Sequence, residues 1–387
     1  MKTRQIQDLT RQNTMNANEA FPLVDVSGGP FERGLAHGRQ VPERVARSLA
    51  LYRSQLDKRG VSHERQRALS ARMMPIIEAF DATYLEEMRG IAEGADLAIE
   101  DIVLINCRTE MMYGHEEIGE ARKALDDGCT GLIVMPPASA TGRLMHAHNW
   151  DWRAECADTG IVLRMRRDDG PDLLVFTEAG TLGRHGINSA GLSLSGNFLT
   201  SERDYVNAGQ ADTPLALIRR RMLDSTSMAD AMKALWSTRR YASNNLMLAD
   251  ARGEAVDLEC APDEIFWLTP EDDVLVHANH WMCPVARTKL RDLGLAKSPD
   301  SIYRQRRVTQ ALQDARRAHG KIDWHVVKAA LADDFGAPVG VLRVPRKISF
   351  DSIAATVSTT LMDAAEGVLW IARKPYESRE FVEYRLR

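Results

Sequence analysis

The chain has 387 residues, of which 44% are apolar and 27% charged, a composition typical of a globular protein. Its 54 acidic and 50 basic residues leave a formal charge of −4, which gives no support to nucleic-acid or anionic-membrane binding. The first twenty residues are polar and lack the apolar core of a signal peptide, and no run approaches the roughly 18 apolar residues of a membrane span. The five cysteines are widely spaced and odd in number. We therefore expect a cytoplasmic protein without disulfides.

The first third of the chain is predicted to be mostly helical. Residues 1–20 are polar and expected to be loose, and 21–29 resemble a short strand and turn. Apolar residues then recur at helical spacing over 31–60 and over 63–95, where Pro75 is expected to start or kink the helix. A further helix is predicted within 97–114, opening near Ile99.

The sequence pattern changes at Gly128. From there on the chain contains short β-rich segments that are separated by Gly, Pro, Asp or Asn. Helices are predicted at about 213–236 and about 301–333, and hairpins over 244–260 and 355–375. Strands in meandering pairs with helices grouped elsewhere predict antiparallel sheets with helices packed on their outer sides.

Cys129 lies between a glycine and a threonine at the start of the β-rich part of the chain. Its chemistry leaves three interpretations open. It could be a buried structural thiol, since cysteine is among the most buried residue types. It could be a nucleophile activated by a neighbouring histidine. It could also attack the Gly128 carbonyl, cut the chain there, and use its own new α-amine, with a reference pKa of about 8, as the base.

The sequence context resembles the isopenicillin N acyltransferase family of N-terminal-nucleophile cysteine peptidases. The segments that carry this resemblance follow one another in the family's order and cover most of the chain. They are DDGCT (126–130) and HNWDW (148–152), together with the stretches 28–38, 183–199, 243–259, 276–281 and 356–384.

The resemblance implies an α+β fold, a four-layer αββα sandwich of the N-terminal-nucleophile hydrolase type. It also implies self-cleavage between Gly128 and Cys129. The products would be a mostly helical α chain, 1–128, and a β chain, 129–387, which stay associated as one domain. No cofactor is expected, because the base is the enzyme's own terminus.

The same resemblance assigns roles to individual residues. Cys129 matches the nucleophile, and Asp151 matches an aspartate close to it. A carboxylate there could orient the new ammonium group or bind a polar group of the substrate. Asn245 is expected to stabilise the oxyanion, with the adjacent Asn244 as the alternative. The residues expected to line the pocket are Asn149, Asn197, Asn244 and His280. The penicillin-forming member of the family carries an arginine near its last hairpin, and 351–360 contain none.

The expected activity is hydrolysis or transfer of the acyl group of a small amide or thioester, with acyl-coenzyme A left open as a donor. Two other readings remain. A metal-dependent hydrolase would use His277, His280 and Cys283, whose types and spacing suit metal ligands. A non-catalytic binding protein would keep the fold and show neither cleavage nor thiol reactivity.

Overall fold

The computed structural model describes residues 20–113, 128–205, 213–348 and 352–387. The N-terminal segment that was predicted to be loose, residues 1–20, therefore lies outside the described residues except for residue 20. The helices are α1 Pro30–Gln40, α2 Pro42–Asp57, α3 His63–Phe80, α4 Ala82–Gly94, α5 Ile99–Asn106, α6 Arg108–Tyr113, α7 Leu215–Leu223, α8 Met228–Trp236, α9 Pro284–Lys289, α10 Asp300–His319 and α11 Trp324–Leu331.

Strand β1 precedes the first helix, and all other strands of the described chain lie from Gly128 onward. They are β1 Leu23–Val26, β2 Gly128–Val134, β3 Met145–Arg153, β4 Gly160–Met165, β5 Leu173–Glu178, β6 His185–Asn188, β7 Leu192–Phe198, β8 Asn244–Asp250, β9 Glu254–Cys260, β10 Ile265–Leu268, β11 Val274–His277, β12 Arg346–Ile348, β13 Ser352–Asp363, β14 Val368–Arg373 and β15 Val382–Arg385.

The strands form two sheets. One has eight strands in the order β1-β4-β5-β6-β7-β8-β9-β10, and the other has seven, in the order β11-β2-β3-β13-β14-β15 with β12 beside β13. All of these pairings are antiparallel except that of β1 with β4. The predicted hairpins are confirmed as β8–β9 and β13–β14.

Local capping divides the long helices that periodicity predicted. Pro42 opens α2 directly after α1 ends, and its fixed φ favours the first position of a helix. Pro75 lies inside α3. The Asp81 side chain accepts a hydrogen bond from the Thr83 amide and starts α4. Ser227 does the same for α8, so the helix predicted over 213–236 is also two helices.

The two faces of β2 show how the layers stack. Ile133 packs with Met247 and Leu275 in an apolar cluster between the sheets. Its neighbours Leu132 and Val134 belong to a second cluster that includes residues of α10 and α11. Side chains alternate along a strand, so β2 has one face toward the other sheet and one face toward a helical layer.

Polar contacts also join the sheets. The His146 ring nitrogens lie 2.9 Å and 2.8 Å from the hydroxyls of Ser193 and Ser195, and His185 lies 3.0 Å from the Thr360 hydroxyl. The predicted fold class is confirmed: the protein is an α+β sandwich with two stacked antiparallel sheets and helices outside them. No helix in the described part of the chain combines the length and the apolar character that crossing a membrane requires.

Candidate active site

Cys129 is the second residue of β2, and its side chain faces the space between the sheets. It shares that face with Gly131 and Ile133 by strand alternation. A Cβ on Gly131 would meet the Met247 sulfur and lie 3.4 Å from the Ser195 hydroxyl, which places this face against the eight-stranded sheet. Cys129 is 1% exposed and is paired across the strands with Trp150.

The peptide bond before Cys129 is surrounded by charged groups on the opposite, helical face of β2. Gly128 is paired with Asp151 in the strand register. The Asp151 carboxylate accepts a hydrogen bond from the Thr356 hydroxyl at 2.6 Å, and the Arg343 Nε lies 3.3 Å from its other oxygen. A Cβ on Gly128 would be 2.5 Å from Arg343 Nη2, so only glycine leaves room for this guanidinium.

A second arginine holds the main chain on the other side of the same bond. Arg304 of α10 donates to the Cys129 carbonyl at 2.7 Å and to the Asn279 side-chain oxygen at 2.9 Å. That oxygen also accepts the Cys129 N–H at 2.7 Å. The backbone on both sides of the Cys129 Cα is thus fixed by buried, partly charged hydrogen bonds.

Asp300 links the two arginines. Its Oδ2 lies 2.7 Å from Arg304 Nε and 2.5 Å from Arg343 Nη2. Burial alone would raise the pKa of Asp300, but the two guanidinium groups outweigh burial and lower it. Asp300 is therefore ionised at neutral pH and fixes both arginines beside the Gly128–Cys129 bond.

The strand register separates Asn245 from Asn244. Asn245 alternates with Met247 and Ala249, which belong to the cluster between the sheets, so it faces the same space as Cys129. Its amide donates to the Asp257 carboxylate. Asn244 faces the other side of β8, where its oxygen accepts a hydrogen bond from Arg219 of α7 at 2.6 Å.

Behind Asn245 lies a fully buried charged cluster of Asp257, Glu259 and His277. The His277 Nε2 is 2.9 Å from Glu259 and 3.7 Å from Asp257, and its Nδ1 is 2.9 Å from the Ala278 carbonyl. Burial lowers the pKa of His277, but the two carboxylates outweigh burial and raise it to about 9. Burial raises the pKa of Asp257 to about 6 against the attraction of His277.

The predicted metal alternative does not assemble as the sequence spacing suggested. Among the described residues, the three potential ligands that come within 4.8 Å of one another are Asp257, Glu259 and His277. His280 instead lies 2.8 Å from the Ser301 hydroxyl, and Cys283 is the residue that precedes the first turn of α9. The Glu259 carboxylate accepts the main-chain N–H groups of Met282 and Cys283 and so already has partners.

The remaining predicted pocket residues lie in different places. Asn149 is on the helical face of β3, where its amide donates to the carbonyls of Leu331 and Val341, away from the Cys129 side chain. Asn197 faces the inter-sheet space and pairs with Asn245 in the register of β7 and β8. Its own side chain is bonded to His148 at 3.1 Å.

Sequence reasoning missed Arg343, Arg304 and Asn279. Arg343 lies just before β12, outside the stretch 351–360 that was searched for an arginine of the last hairpin. Asn279 lies within 276–281, next to His280, which was the residue expected in the pocket. A search of the whole segment before the last hairpin would have found the arginine, whereas Arg304 gives no local signal on its helix.

Burial changes the thiol chemistry of three other cysteines. Burial raises the pKa of Cys107 and Cys156 well above the ordinary thiol value, and that of Cys260 to about 12. A thiol with a raised pKa holds little reactive thiolate at neutral pH. These three cysteines are therefore mainly in the thiol form at neutral pH.

Comparison with known proteins gives both sequence and structural relatives. The sequence model of the acyl-coenzyme A:6-aminopenicillanic acid acyl-transferase family matches residues 139–374. The 40 kDa form of the acyl-coenzyme A:6-aminopenicillanic-acid-acyltransferase of Emericella nidulans is 28% identical over 265 residues, which is 66% of this chain and 68% of that protein.

Among solved structures, a mutant of the conjugated bile acid hydrolase from Clostridium perfringens superposes with a TM-score of 0.50 at 14% identity. The superposition covers 67% of this chain and 92% of that one, and it supports the fold alone. The family match contains Asp151, Asn245 and Arg343 but begins after Cys129.

Proposed function

The chain belongs to the acyl-coenzyme A:6-aminopenicillanic acid acyl-transferase family, and from that premise we propose that it is a self-processing cysteine amidohydrolase or acyltransferase. The observation that carries this proposal is the surroundings of one peptide bond. Gly128–Cys129 lies between the Asp151–Arg343 pair and the Asn279–Arg304 pair. By strand alternation, the side chains of Cys129 and Asn245 both point toward the space between the sheets.

The first step is cleavage of the chain. The Cys129 thiol attacks the Gly128 carbonyl carbon, the peptide C–N bond breaks, and the acyl group passes to sulfur as a thioester while the nitrogen gains a proton. Water then hydrolyses the thioester, which leaves a carboxylate on Gly128 and a free thiol and α-amine on Cys129. Asp151 and Arg343 lie next to Gly128, and their proposed role is to orient this carbonyl.

The second reaction is turnover of substrate. The new α-amine takes the thiol proton, and the thiolate attacks an amide or thioester carbonyl. The Asn245 amide has two N–H groups, and because Asp257 accepts one of them, the other is directed to the oxyanion. The Asn279 oxygen, now 2.7 Å from the Cys129 nitrogen, holds the α-amine in place as hydrogen-bond acceptor.

The acyl-enzyme then passes to water or to an amine, which makes the enzyme a hydrolase or a transferase. We favour hydrolysis of a small N-acyl compound in the cytoplasm, with chains 1–128 and 129–387 remaining together. No disulfide joins the five cysteines, all of which lie in the described part of the chain, and this fits a reducing compartment.

The test is an intact-mass measurement of the purified protein beside Cys129→Ala and Cys129→Ser. We expect two chains from the wild type, the larger beginning at Cys129, and one whole chain from Cys129→Ala. Cys260→Ala serves as the matched control, because it removes another buried strand cysteine and should still cleave. A wild type that stays whole while it turns over substrate would refute the terminal-amine mechanism.

A second measurement separates the two outcomes of the acyl-enzyme. The processed protein is mixed with acyl thioesters and N-acyl amines, and the mass of the 129–387 chain is followed for an added acyl group. Release of free acid identifies hydrolysis, and transfer to an added amine identifies an acyltransferase. A chain that is cut but never acylated on Cys129 by any of these substrates would contradict the catalytic proposal.

A further inference from the structure

Glu259 is a fully buried carboxylate of β9 that makes contacts with the other sheet. Its Oε1 lies 2.9 Å from the His277 Nε2 and accepts the Met282 N–H at 2.5 Å, and its Oε2 accepts the Cys283 N–H at 3.1 Å. His277 is the last residue of β11, the edge strand of the seven-stranded sheet. Glu259 therefore joins the eight-stranded sheet to the end of β11 and to the residues that follow it.

The residues that follow β11, 278–283, form a connecting segment without helix or strand. Two of its main-chain N–H groups donate to Glu259, and the N–H of Asn279 donates to the Ser301 hydroxyl at 2.7 Å. Side chains from other elements thus hold the main chain of this segment, in place of the regular hydrogen bonds of a sheet. The position of the segment depends in part on Glu259.

Asn279 is the residue of this segment that contacts the proposed cleavage site. Its Oδ1 accepts the Cys129 N–H at 2.7 Å and Arg304 Nη2 at 2.9 Å, and its Nδ2 donates to the Phe198 carbonyl at 2.9 Å. A shift of the segment would move this oxygen away from the Cys129 nitrogen. That nitrogen belongs to the bond that is cut and then becomes the proposed base.

Glu259 is also connected to the proposed oxyanion donor, through His277. The His277 Nε2 that faces Glu259 lies 3.7 Å from Asp257, and Asp257 accepts a hydrogen bond from the amide of Asn245. The other ring nitrogen, Nδ1, lies 2.9 Å from the Ala278 carbonyl. With oxygen acceptors at both nitrogens the ring is the protonated imidazolium, and its charge holds the two carboxylates together.

We propose that Glu259 is a positioning residue that fixes both Asn279 and Asn245 relative to Cys129. The inference rests on the proposed function of Cys129. Glu259 acts on Asn279 through the main chain of 278–283, and on Asn245 through the buried pair of His277 and Asp257. A fully bonded buried polar network is rigid, so one side chain sets the geometry of both the cleavage step and the turnover step. Glu259 itself takes no part in bond breaking.

Glu259→Gln tests the proposal with little change in side-chain shape. The substitution replaces one accepting oxygen by an N–H donor, so one of the three donors around Glu259 loses its partner. We expect self-cleavage, followed by intact mass, to slow about fivefold. The kcat of the processed protein should fall about tenfold with little change in KM, measured with whichever acyl thioester or N-acyl amine acylates Cys129 of the wild type. Glu259→Asp restores the charge and both oxygens and should recover part of both rates.

Glu87→Gln is the matched control for the loss of a buried carboxylate. Glu87 belongs to α4 and lies 3.0 Å from Arg220 in the helical layer, with both side chains buried. We expect this variant to lose stability in urea but to keep the wild-type rates of self-cleavage and turnover while it is folded. If Glu87→Gln slows both reactions as much as Glu259→Gln does, general destabilisation explains the result and the proposal is wrong.

Double variants distinguish positioning from a purely structural role. The combination of Glu259→Gln with Asn279→Ala should cleave itself no more slowly than Asn279→Ala alone. Likewise, the combination of Glu259→Gln with Asn245→Ala should have the kcat of Asn245→Ala. Effects that multiply in both pairs would overturn the proposal, and so would equal rates in the wild type and Glu259→Gln. If Glu259→Gln does not fold, Glu259→Asp replaces it in both pairs.

The same measurements separate failure of this inference from failure of the proposed function. A wild type that is neither cleaved before Cys129 nor acylated on it would contradict the proposed function, and this inference with it. A wild type that does both, beside a Glu259→Gln variant with unchanged rates, would contradict only the role of Glu259.

Discussion

Replacing Gly128 by alanine would place a methyl group against the Arg343 guanidinium. The new Cβ would lie 2.5 Å from Nη2 and 2.7 Å from Nε, whereas ordinary van der Waals contact begins at 3.4 Å. The guanidinium would have to retreat by roughly 1 Å, as an overpacked buried side chain does. It is 1% exposed and lies 2.5 Å from Asp300 and 3.3 Å from Asp151, so that movement disturbs both ion pairs.

The size of the effect follows from the burial of these pairs. Removing one partner from a buried ion pair costs about 3–5 kcal/mol, and a displacement that weakens the pairs reaches the lower end of that range. If about 3 kcal/mol of this is lost at the transition state for self-cleavage, the rate falls on the order of 100-fold. We therefore expect Gly128→Ala to remain mostly uncleaved while the wild type is processed.

The assay is a time course of intact mass after cell-free synthesis, with circular dichroism to show that the variants fold. Gly131→Ala is the matched control on the same strand, because its methyl group meets the movable end of Met247 and should leave cleavage close to the wild-type rate. The double variant Gly128→Ala, Arg343→Ala should cleave no more slowly than Arg343→Ala alone. The reasoning is refuted if Gly128→Ala cleaves at the wild-type rate, or if the two substitutions slow cleavage independently.

Asn245→Ala should lower kcat about 100- to 1000-fold with little change in KM, whereas Asn244→Ala should retain most of the activity; steady-state kinetics showing the reverse would exchange their roles. Asn279→Ala should slow self-cleavage about tenfold because the Cys129 N–H loses its acceptor, and an unchanged mass time course would contradict this. The folded pKa of His277, about 9, exceeds its unfolded value of 6.5, so its contribution is fully present below pH 6.5 and lost as pH rises through 9. Between pH 6.5 and 9, the free energy of unfolding measured in urea should fall by up to about 3 kcal/mol more for the wild type than for His277→Gln. If the two proteins show the same dependence of this free energy on pH, the assignment to His277 is wrong.

The sequence predicted the layers of the fold well because each layer has its own hydrophobic period. Alternation along β2 and β8 follows from residues that are adjacent in the chain, and so do the hairpins that surround 250–253 and 363–367. The helix boundaries were predicted less well. The stretch 31–60 keeps a helical pattern through Val41, and only the proline after it marks the break between α1 and α2.

The candidate site residues were predictable only where they lie in a motif of the family, as Asp151 and Asn245 do. Asp151 is the register partner of Gly128 in the antiparallel pair of β2 and β3, which are consecutive strands, and this pairing fixes its position. Arg304 and Arg343 reach the same peptide bond from helices and loops far along the chain, and no local pattern reports that approach. Asn149 was expected in the pocket because it lies in the HNWDW motif, but strand alternation turns its side chain to the other face.

The segment before Gly128 contributes strand β1 to the eight-stranded sheet in addition to its helices. It hydrogen-bonds in parallel with β4 from Leu23 to Val26 and forms the outer edge of the eight-stranded sheet. After cleavage, this edge would belong to a different polypeptide from the strand it covers. A β chain made alone would expose the unpaired groups of β4, and unpaired edges promote aggregation. If the chain is cleaved as proposed, we expect residues 1–128 to keep the β chain soluble, and supplying them in trans should rescue the solubility of 129–387.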